Sequence, residues 1–462
     1  MGGGIAGLMC AYNLMKEKIN FILVDSKYIG LGVSSNTTAQ VSIAHDGLYE
    51  QIKKNHGKNK ALKYLKSQIE GLNIIKNIIK EENINCDLHE ESSVLTASNH
   101  KNIKILKNQF KILKNYCEVK LDKSTNILKD EYQLEIEKQI TINPMKYMMS
   151  IRDILLKENI KLYEQSKVTK INKQNQNYEV TVNNKYIIKA NHIIMACHYP
   201  FINPDNLYFA KIYQSKSYVI SFKTEKKINK NYVSLDPPYY YIRSYDENTL
   251  IIGGNDHITG KNIENPYKKL EDKIYKIDIN AKIEKKWSTE DCMTIDSLPF
   301  IDKYSKKNKN IYLVSGFQKW GFTNSHIASQ NTTKMIQNKN YDTLYKSKRY
   351  TLIRNLKSTF KIIIHTLDGI VINRLLLRKY DLKLIKVDSG KPIIYKNKKV
   401  LVYRKSQDKY IFLKNKCTHM GCTLLWNDID KTWESKCHGS IFDKYGNVLI
   451  GPAIEDLEEI FF

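Results

Sequence analysis

The chain has 462 residues, which allows two or three domains, and a hydrophobic content of 42%, enough for buried cores. Its longest largely apolar run, residues 362–372, falls short of the ~20 residues of a membrane span and contains His365 and Asp368. No secretory leader is recognisable, and eight cysteines in so long a chain do not form a secreted disulfide scaffold, so the expected location is cytoplasmic. The net charge is +26, but the lysines are scattered (Lys53-Lys54, Lys285-Lys286, Lys306-Lys307, Lys398-Lys399) and arginine, the better fork for phosphate, is sparse. With no nucleic-acid-binding signature, a nucleic acid is not the expected partner. A basic surface that steers an acidic electron-transfer protein remains compatible with this charge.

The chain opens with Gly2-Gly3-Gly4-Ile5-Ala6-Gly7, a G-x-G-x-x-G pattern. A helix follows (Leu8, Tyr12, Met15), then the apolar strand Phe21-Ile22-Leu23-Val24 and Asp25. Gly2, Gly4 and Gly7 permit a tight turn and close approach to a pyrophosphate at the helix start. Asp25 lies 18 residues after Gly7, near the ~20 expected of an acid that binds ribose hydroxyls. Met1 directly precedes the glycines, so the strand that should lead into them is absent. A central gap leaves backbone groups unpaired, and the expectation is an N-terminal truncation or another segment in that place. The polar loop Ser34-Ser35-Asn36-Thr37-Thr38-Ala39-Gln40 follows.

Leu62, Leu65, Ile69, Leu72, Ile75 and Ile79 recur at helical spacing and predict a helix over 47–82. Residues 84–140 mix short strands and helices without clear chemistry. Asn143-Pro144 opens another helix. Alternation in Tyr178–Val182 and Tyr186–Ala190 predicts a β-hairpin. A buried strand, Ile193-Ile194-Met195-Ala196, ends at Cys197-His198-Tyr199-Pro200. His198 is a catalytic candidate, with an ordinary hydrogen-bonded loop histidine as its competing reading. Residues 211–301 read as a mostly antiparallel sheet containing Tyr239-Tyr240-Tyr241-Ile242-Arg243. Arg243 is the other catalytic candidate: either it meets a substrate carboxylate in a tyrosine-lined pocket, or it pairs with a surface acid. The strand Asn310–Ser315 leads through Gly316, Phe317, Trp320 and Gly321 into a helix with Ile327, Ala328 and Met335.

Residues 341–381 read as a basic helical connector (Leu352, Leu356, Phe360). Short strands follow at 382–387, 391–395, 400–403 and 409–413. Then come two boxes, Cys417-Thr418-His419-Met420-Gly421-Cys422 and Cys437-His438-Gly439-Ser440, with Trp433 before the second and Gly451-Pro452 after it.

The N-terminal three quarters resemble the FAD-dependent oxidoreductases of the D-amino-acid-oxidase/glycine-oxidase type, and the boxes resemble those of a Rieske [2Fe–2S] protein. The implied fold is an α/β FAD-binding domain (Rossmann-like, two-dinucleotide-fold) with an antiparallel-sheet substrate subdomain, plus a small all-β Rieske domain. On this resemblance residues 1–46, 141–200 and 302–340 bind the nucleotide, 47–140 and 201–301 form the substrate cap, 341–381 connect, and 382–462 form the Rieske domain. The implied cofactors are FAD and a [2Fe–2S] cluster. Gly2, Gly4, Gly7, Asp25, Thr38, Gly316 and Gly321 would contact FAD. Cys417, His419 and His438 would be cluster ligands, with Cys422 and Cys437 as the family's disulfide.

The family's fourth ligand is a cysteine where this chain has Ser435. A serine hydroxyl is a harder ligand than a thiolate, and three arrangements stay open: Ser435 ligates as an alkoxide, Cys437 is recruited, or the cluster is lost and the fold kept. The implied function is oxidation of a small amine or amino-acid-like substrate, with electrons passing through the Rieske centre to a partner protein. The alternative is a flavoprotein whose Rieske module has become a structural or docking domain.

Overall fold

The computed structural model describes residues 1–123, 126–175, 177–201, 207–261, 263–349 and 356–462. Leu352 of the expected connector lies outside them. The chain forms two compact units. The first comprises Met1–His198, Ser217–Asp256 and Pro266–Arg349. The second comprises Tyr199–Lys216, His257–Asn265 and Tyr350–Phe462.

In the first unit, Ile22–Val24 pairs in parallel with Lys161–Tyr163, and Ile193–Met195 in parallel with Ile311–Ser315. These pairs belong to separate sheets. Met1 and Gly2 bridge them. The Met1 ammonium donates to the Ile194 carbonyl (2.8 Å), the Ala196 N–H to the Met1 carbonyl (2.9 Å) and the Gly2 N–H to the Val24 carbonyl (2.9 Å). The place expected for a lead-in strand thus has its edge groups partly satisfied by the first two residues. Helices Ile5–Lys16 and Gly321–Ile336 pack together through Leu8, Met9, Tyr12, Ile327 and Ala328. Asn13 Nδ2 also donates to Ser329 Oγ (2.5 Å).

The helix expected over 47–82 is two helices, Leu48–His56 and Lys58–Glu81. Gly57 between them adopts φ +91°, outside the helical region. The hairpin is present as Asn177–Val182 and Tyr186–Ala190, with Val168–Gln174 added on one side.

The large sheet has nine strands. It runs Lys282–Thr294, Ile212–Lys223, Thr249–Ile258, Tyr241–Asp246, Lys230–Ser234, His89–Ala97, Tyr132–Thr141, Gln40–Val41, with Val119–Lys123 against Tyr132–Thr141. Residues 84–140 therefore contribute three strands that sequence periodicity left without a role. The contact between Lys230–Ser234 and His89–Ala97 is parallel, a long-range pairing that no local pattern announces. Ile242, Tyr218, Ile220 and Phe222 form one core with Leu270 and Ile274 of the helix Pro266–Ile277. Alternation along the strand sends Tyr241 and Arg243 to the opposite face.

In the second unit, the connector is a helix, Leu356–Leu367, a π-helical turn, Asp368–Ile372, and a short helix, Asn373–Leu376. The strand expected at 382–387 is instead a 3-10 turn, Leu382–Leu384, because Asp381 Oδ1 caps it by accepting the Lys383 N–H (2.9 Å). Three antiparallel strands follow (Ser389–Tyr395, Lys398–Arg404, Tyr410–Lys414), then four more (Leu424–Asn427, Thr432–Ser435, Ile441–Asp443, Val448–Ile450). Leu401, Leu413, Leu424, Trp433 and Phe442 are buried among them.

Candidate functional site

The glycine turn is too crowded for side chains. A Cβ on Gly7 would lie 1.7 Å from the Gly2 carbonyl oxygen, one on Gly2 2.4 Å from the Ala196 oxygen, and one on Gly4 2.9 Å from Ser34 Oγ. Gly2 is also at φ +94°. The helix Ile5–Lys16 begins at Gly4 without a side-chain cap, and Ser34 Oγ accepts the Ile5 N–H (3.1 Å). The positive helix end is thus left for an anion such as a pyrophosphate. Asp25 Oδ2 accepts the Gly3 N–H (2.6 Å) and Oδ1 the Lys27 N–H (2.7 Å), which fixes the carboxylate beside the turn. Gly316 lies at φ +77°, where a Cβ would lie 2.4 Å from Thr294 Cγ2. Gly321 is the first residue of its helix, where a Cβ would meet Phe317 Cδ2 at 4.0 Å, an ordinary contact. This cradle of bare backbone and one fixed acid fits a dinucleotide such as FAD.

In the same unit, Thr38 lines a cavity with Val33, Tyr239, Tyr241, Asp291 and Lys319; Asp46 and Trp320 also border it. Lys319 forms an ion pair with Asp256. Asp46 Oδ1 accepts the Trp320 Nε1–H (3.2 Å), and the Trp320 ring stacks on His45 with centroids 4.2 Å apart. Burial pushes the Asp291 carboxyl up to about 7; Lys319 opposes that rise, and Asp256 and Asp46 add to it. Burial alone would lower the Lys319 ammonium, but Asp256, Asp46 and Asp291 together hold it above its ordinary value.

The two sequence-derived catalytic candidates do not line this cavity. His198 sits at φ +66°, and its carbonyl accepts the Ser315 hydroxyl. Arg243 shares a strand face with Tyr241 but is only 4% exposed, donates to the Ser244 carbonyl (2.9 Å) and stacks near Tyr245. Burial lowers its pKa to about 10, with Glu91 and Tyr245 opposing.

In the second unit, the two boxes face one another. Cys422 and Cys437 form a disulfide. The Cys417 N–H donates to the Cys422 carbonyl (2.8 Å) and the Ser435 N–H to the Ser440 carbonyl (2.8 Å). The His419 and His438 rings are 5.1 Å apart at 87°. Cys417 is a free thiol, 3% exposed. His419 Nδ1 and Ser435 Oγ are buried without hydrogen-bond partners among the described residues, as atoms kept for a ligand would be. No three His, Cys, Asp or Glu side chains among those residues converge on a single ion. A two-iron cluster asks for something else: two histidines on one iron and two further ligands on the other. His419 and His438 could supply the first pair, and Cys417 with Ser435 the second. The donor set thus fits a [2Fe–2S] cluster with oxygen in place of one sulfur.

Behind this site, Gln214 Nε2 donates to the carbonyls of His438 and Gly451 (2.8 Å each). Lys216, 1% exposed, reaches Glu434 Oε1 and Asp430 Oδ2 (2.5 Å each). Glu434 directly precedes Ser435.

The family model for FAD dependent oxidoreductases matches residues 1–335, nearly three quarters of the chain. The chain belongs to this family. The model for the Rieske [2Fe-2S] domain matches residues 381–460, so this family member carries a C-terminal Rieske domain. It is 28% identical over 480 aligned residues to the putative Rieske 2Fe-2S iron-sulfur protein YhfW of Bacillus subtilis (strain 168), covering all of this chain and 92% of the relative. It is 22% identical to gamma-glutamylputrescine oxidoreductase of Escherichia coli (strain K12), covering 73% of this chain and 82% of that enzyme. L-proline dehydrogenase from P. horikoshii shares the fold (TM-score 0.63, 16% identity, 76% of this chain and 96% of that one). So does glycine oxidase from Geobacillus kaustophilus (TM-score 0.62, 13% identity, 76% and 97%). The protein is an FAD-dependent oxidoreductase with a C-terminal Rieske domain.

Within this oxidoreductase, sequence reasoning did not single out Asp46, Asp256, Asp291 and Lys319 as a group. They come from four segments; Asp256, Asp291 and Lys319 each lie in a stretch that carries the family resemblance, and it is their convergence with Asp46 that the sequence does not show. Among the described residues no helix is long and apolar enough to cross a membrane.

Proposed function

We propose that this flavoenzyme oxidises a small amine or amino-acid-like substrate and passes the electrons through its Rieske centre to a partner protein in the cytoplasm. Gly2, Gly4, Gly7, Asp25, Thr38, Gly316 and Gly321 hold FAD in this reading. Cys417, His419, His438 and Ser435 hold the cluster. When bound, FAD supplies a two-electron acceptor that can release electrons singly, and the Rieske centre a one-electron carrier. The observation that carries the reading is the cavity beside Thr38, bordered by Asp46, Asp291 and Lys319, with Asp256 already paired to Lys319, so that the carboxylates outnumber the ammonium and complement a cation. The similar gamma-glutamylputrescine oxidoreductase, L-proline dehydrogenase and glycine oxidase lend support as analogies.

The test is anaerobic mixing of the holoprotein with glycine, L-proline or 1,4-diaminobutane. Bleaching of the flavin absorbance by at least one of them, with a reduced Rieske EPR signal growing alongside, is the expected result. Bleaching only by a 2-hydroxy acid or a glycerol phosphate contradicts the amine reading. The rival reading, a Rieske module kept for structure or docking, has Ser435 in its favour. It gains if flavin is bleached while no cluster signal appears.

A further inference from the structure

Three carboxylates and one ammonium meet in the first unit, and their hydrogen bonding sets one apart. Asp256 is paired with Lys319, and Asp46 accepts the indole N–H of Trp320. Asp291, on the strand Lys282–Thr294, lines the cavity, and no described residue donates a hydrogen bond to its carboxylate. The charged and titratable groups facing it are Lys319, Asp256, Asp46 and Tyr241, and its chain neighbour Cys292 adds a buried thiol. With all four charged groups ionised the site carries two more negative charges than positive ones. Charge enclosed without a partner is costly, and an alkylammonium entering the cavity offsets it.

We propose that Asp291 is the proton acceptor for a substrate ammonium in this cavity. The inference rests on the amine reading above. One N–H bond of the ammonium breaks and its electron pair stays on nitrogen. An O–H bond forms on an Asp291 carboxylate oxygen. The product is a neutral amine, whose lone pair would let the adjacent C–H give its hydride to bound FAD, the two-electron acceptor of this family. The elevated Asp291 pKa, about 7, brings the proton affinity of the carboxylate closer to that of the amine and suits a general base near neutral pH.

The test uses the full-length holoprotein and the variants Asp291→Asn and Asp291→Glu, matched for flavin content and circular dichroism. The probes are glycine, L-proline and 1,4-diaminobutane, with anaerobic flavin bleaching followed from pH 5 to 9. Wild-type bleaching is expected to accelerate as pH rises through about 7. Asp291→Asn is expected to be about 100-fold slower or more and to lose that rise, while Asp291→Glu regains part of it. Calorimetric binding of n-butylammonium, which does not depend on turnover, is expected to weaken about 30-fold in Asp291→Asn. An Asp291→Asn protein with wild-type rate, pH profile and n-butylammonium affinity overturns the proposal and leaves the amine reading standing. If Asp291→Asn fails to load flavin, the pH profile of Asp291→Glu decides, and a profile identical to wild type overturns the proposal. Wild-type protein bleached by lactate and by none of the amines overturns both, a result seen without any variant.

Discussion

Cys422 and Cys437 are joined by a disulfide that places their Cα atoms 6.2 Å apart. Of the three arrangements open in the sequence, recruitment of Cys437 in place of Ser435 requires that bond to be broken. Ser435 Oγ beside the second box is buried and has no hydrogen-bond partner among the described residues, which supports it as the fourth ligand. Replacing it with sulfur should strengthen the site. Ser435→Cys is expected to raise iron per chain and the amplitude of the reduced EPR signal, and Ser435→Ala to lower both. Unchanged iron in Ser435→Cys contradicts a ligand role.

Gly7 faces the Gly2 carbonyl so closely that one methyl group cannot be accommodated without moving backbone. Gly7→Ala is expected to lose most bound flavin and to cost roughly 1–3 kcal/mol or more in stability. The flavin-to-protein absorbance ratio and a denaturant titration of the flavin-free protein check the two effects separately.

Lys216 is the buried cation behind the second box, shared by Glu434 and Asp430. Lys216→Met leaves the Glu434 carboxylate, 3% exposed, without its charge partner. The expected loss is about 3–5 kcal/mol, read by denaturant unfolding. Lys216→Met combined with Glu434→Gln should recover part of it, because the stranded charge is removed as well. An unaffected midpoint in the single variant contradicts a paired, buried ammonium.

Asp291 also sets a pH dependence of stability. Its folded pKa, about 7, lies above the ordinary carboxylate range. Between the two values the folded state binds more protons than the unfolded state, so stability falls as pH rises through that window. Asp291→Asn removes this penalty. The variant is expected to be more stable than the wild type at pH 8 and by a smaller margin at pH 5, as measured by thermal unfolding. An equal margin at both values contradicts the raised carboxyl.

Much of this was legible in the sequence because the informative signals are local. The glycine turn, the following helix and strand, and Asp25 occupy one short stretch, and the two Cys-His boxes are each readable as they stand. What escaped depends on pairing at a distance. The strands His89–Ala97, Val119–Lys123 and Tyr132–Thr141 join the cap sheet through a parallel contact with Lys230–Ser234, which no alternation pattern predicts. The break at Gly57 was hidden by apolar spacing that continues across it. The turn at Leu382–Leu384 was set by the cap from Asp381, which competes with strand formation. Arg243 looked like a pocket residue beside a run of tyrosines. In the fold it shares a strand face with Tyr241 and is buried, donating to the Ser244 carbonyl and lying over the Tyr245 ring, contacts that the tyrosine run does not announce. The acids around Lys319 converge only in three dimensions.

The measurement that bears most directly on the account is EPR of the anaerobically purified, dithionite-reduced protein, expressed with iron supplied. A Rieske-type signal is the predicted result, with Ser435 completing the ligand set beside Cys417, His419 and His438. A folded, flavin-loaded protein with no cluster signal would contradict electron transfer through this domain.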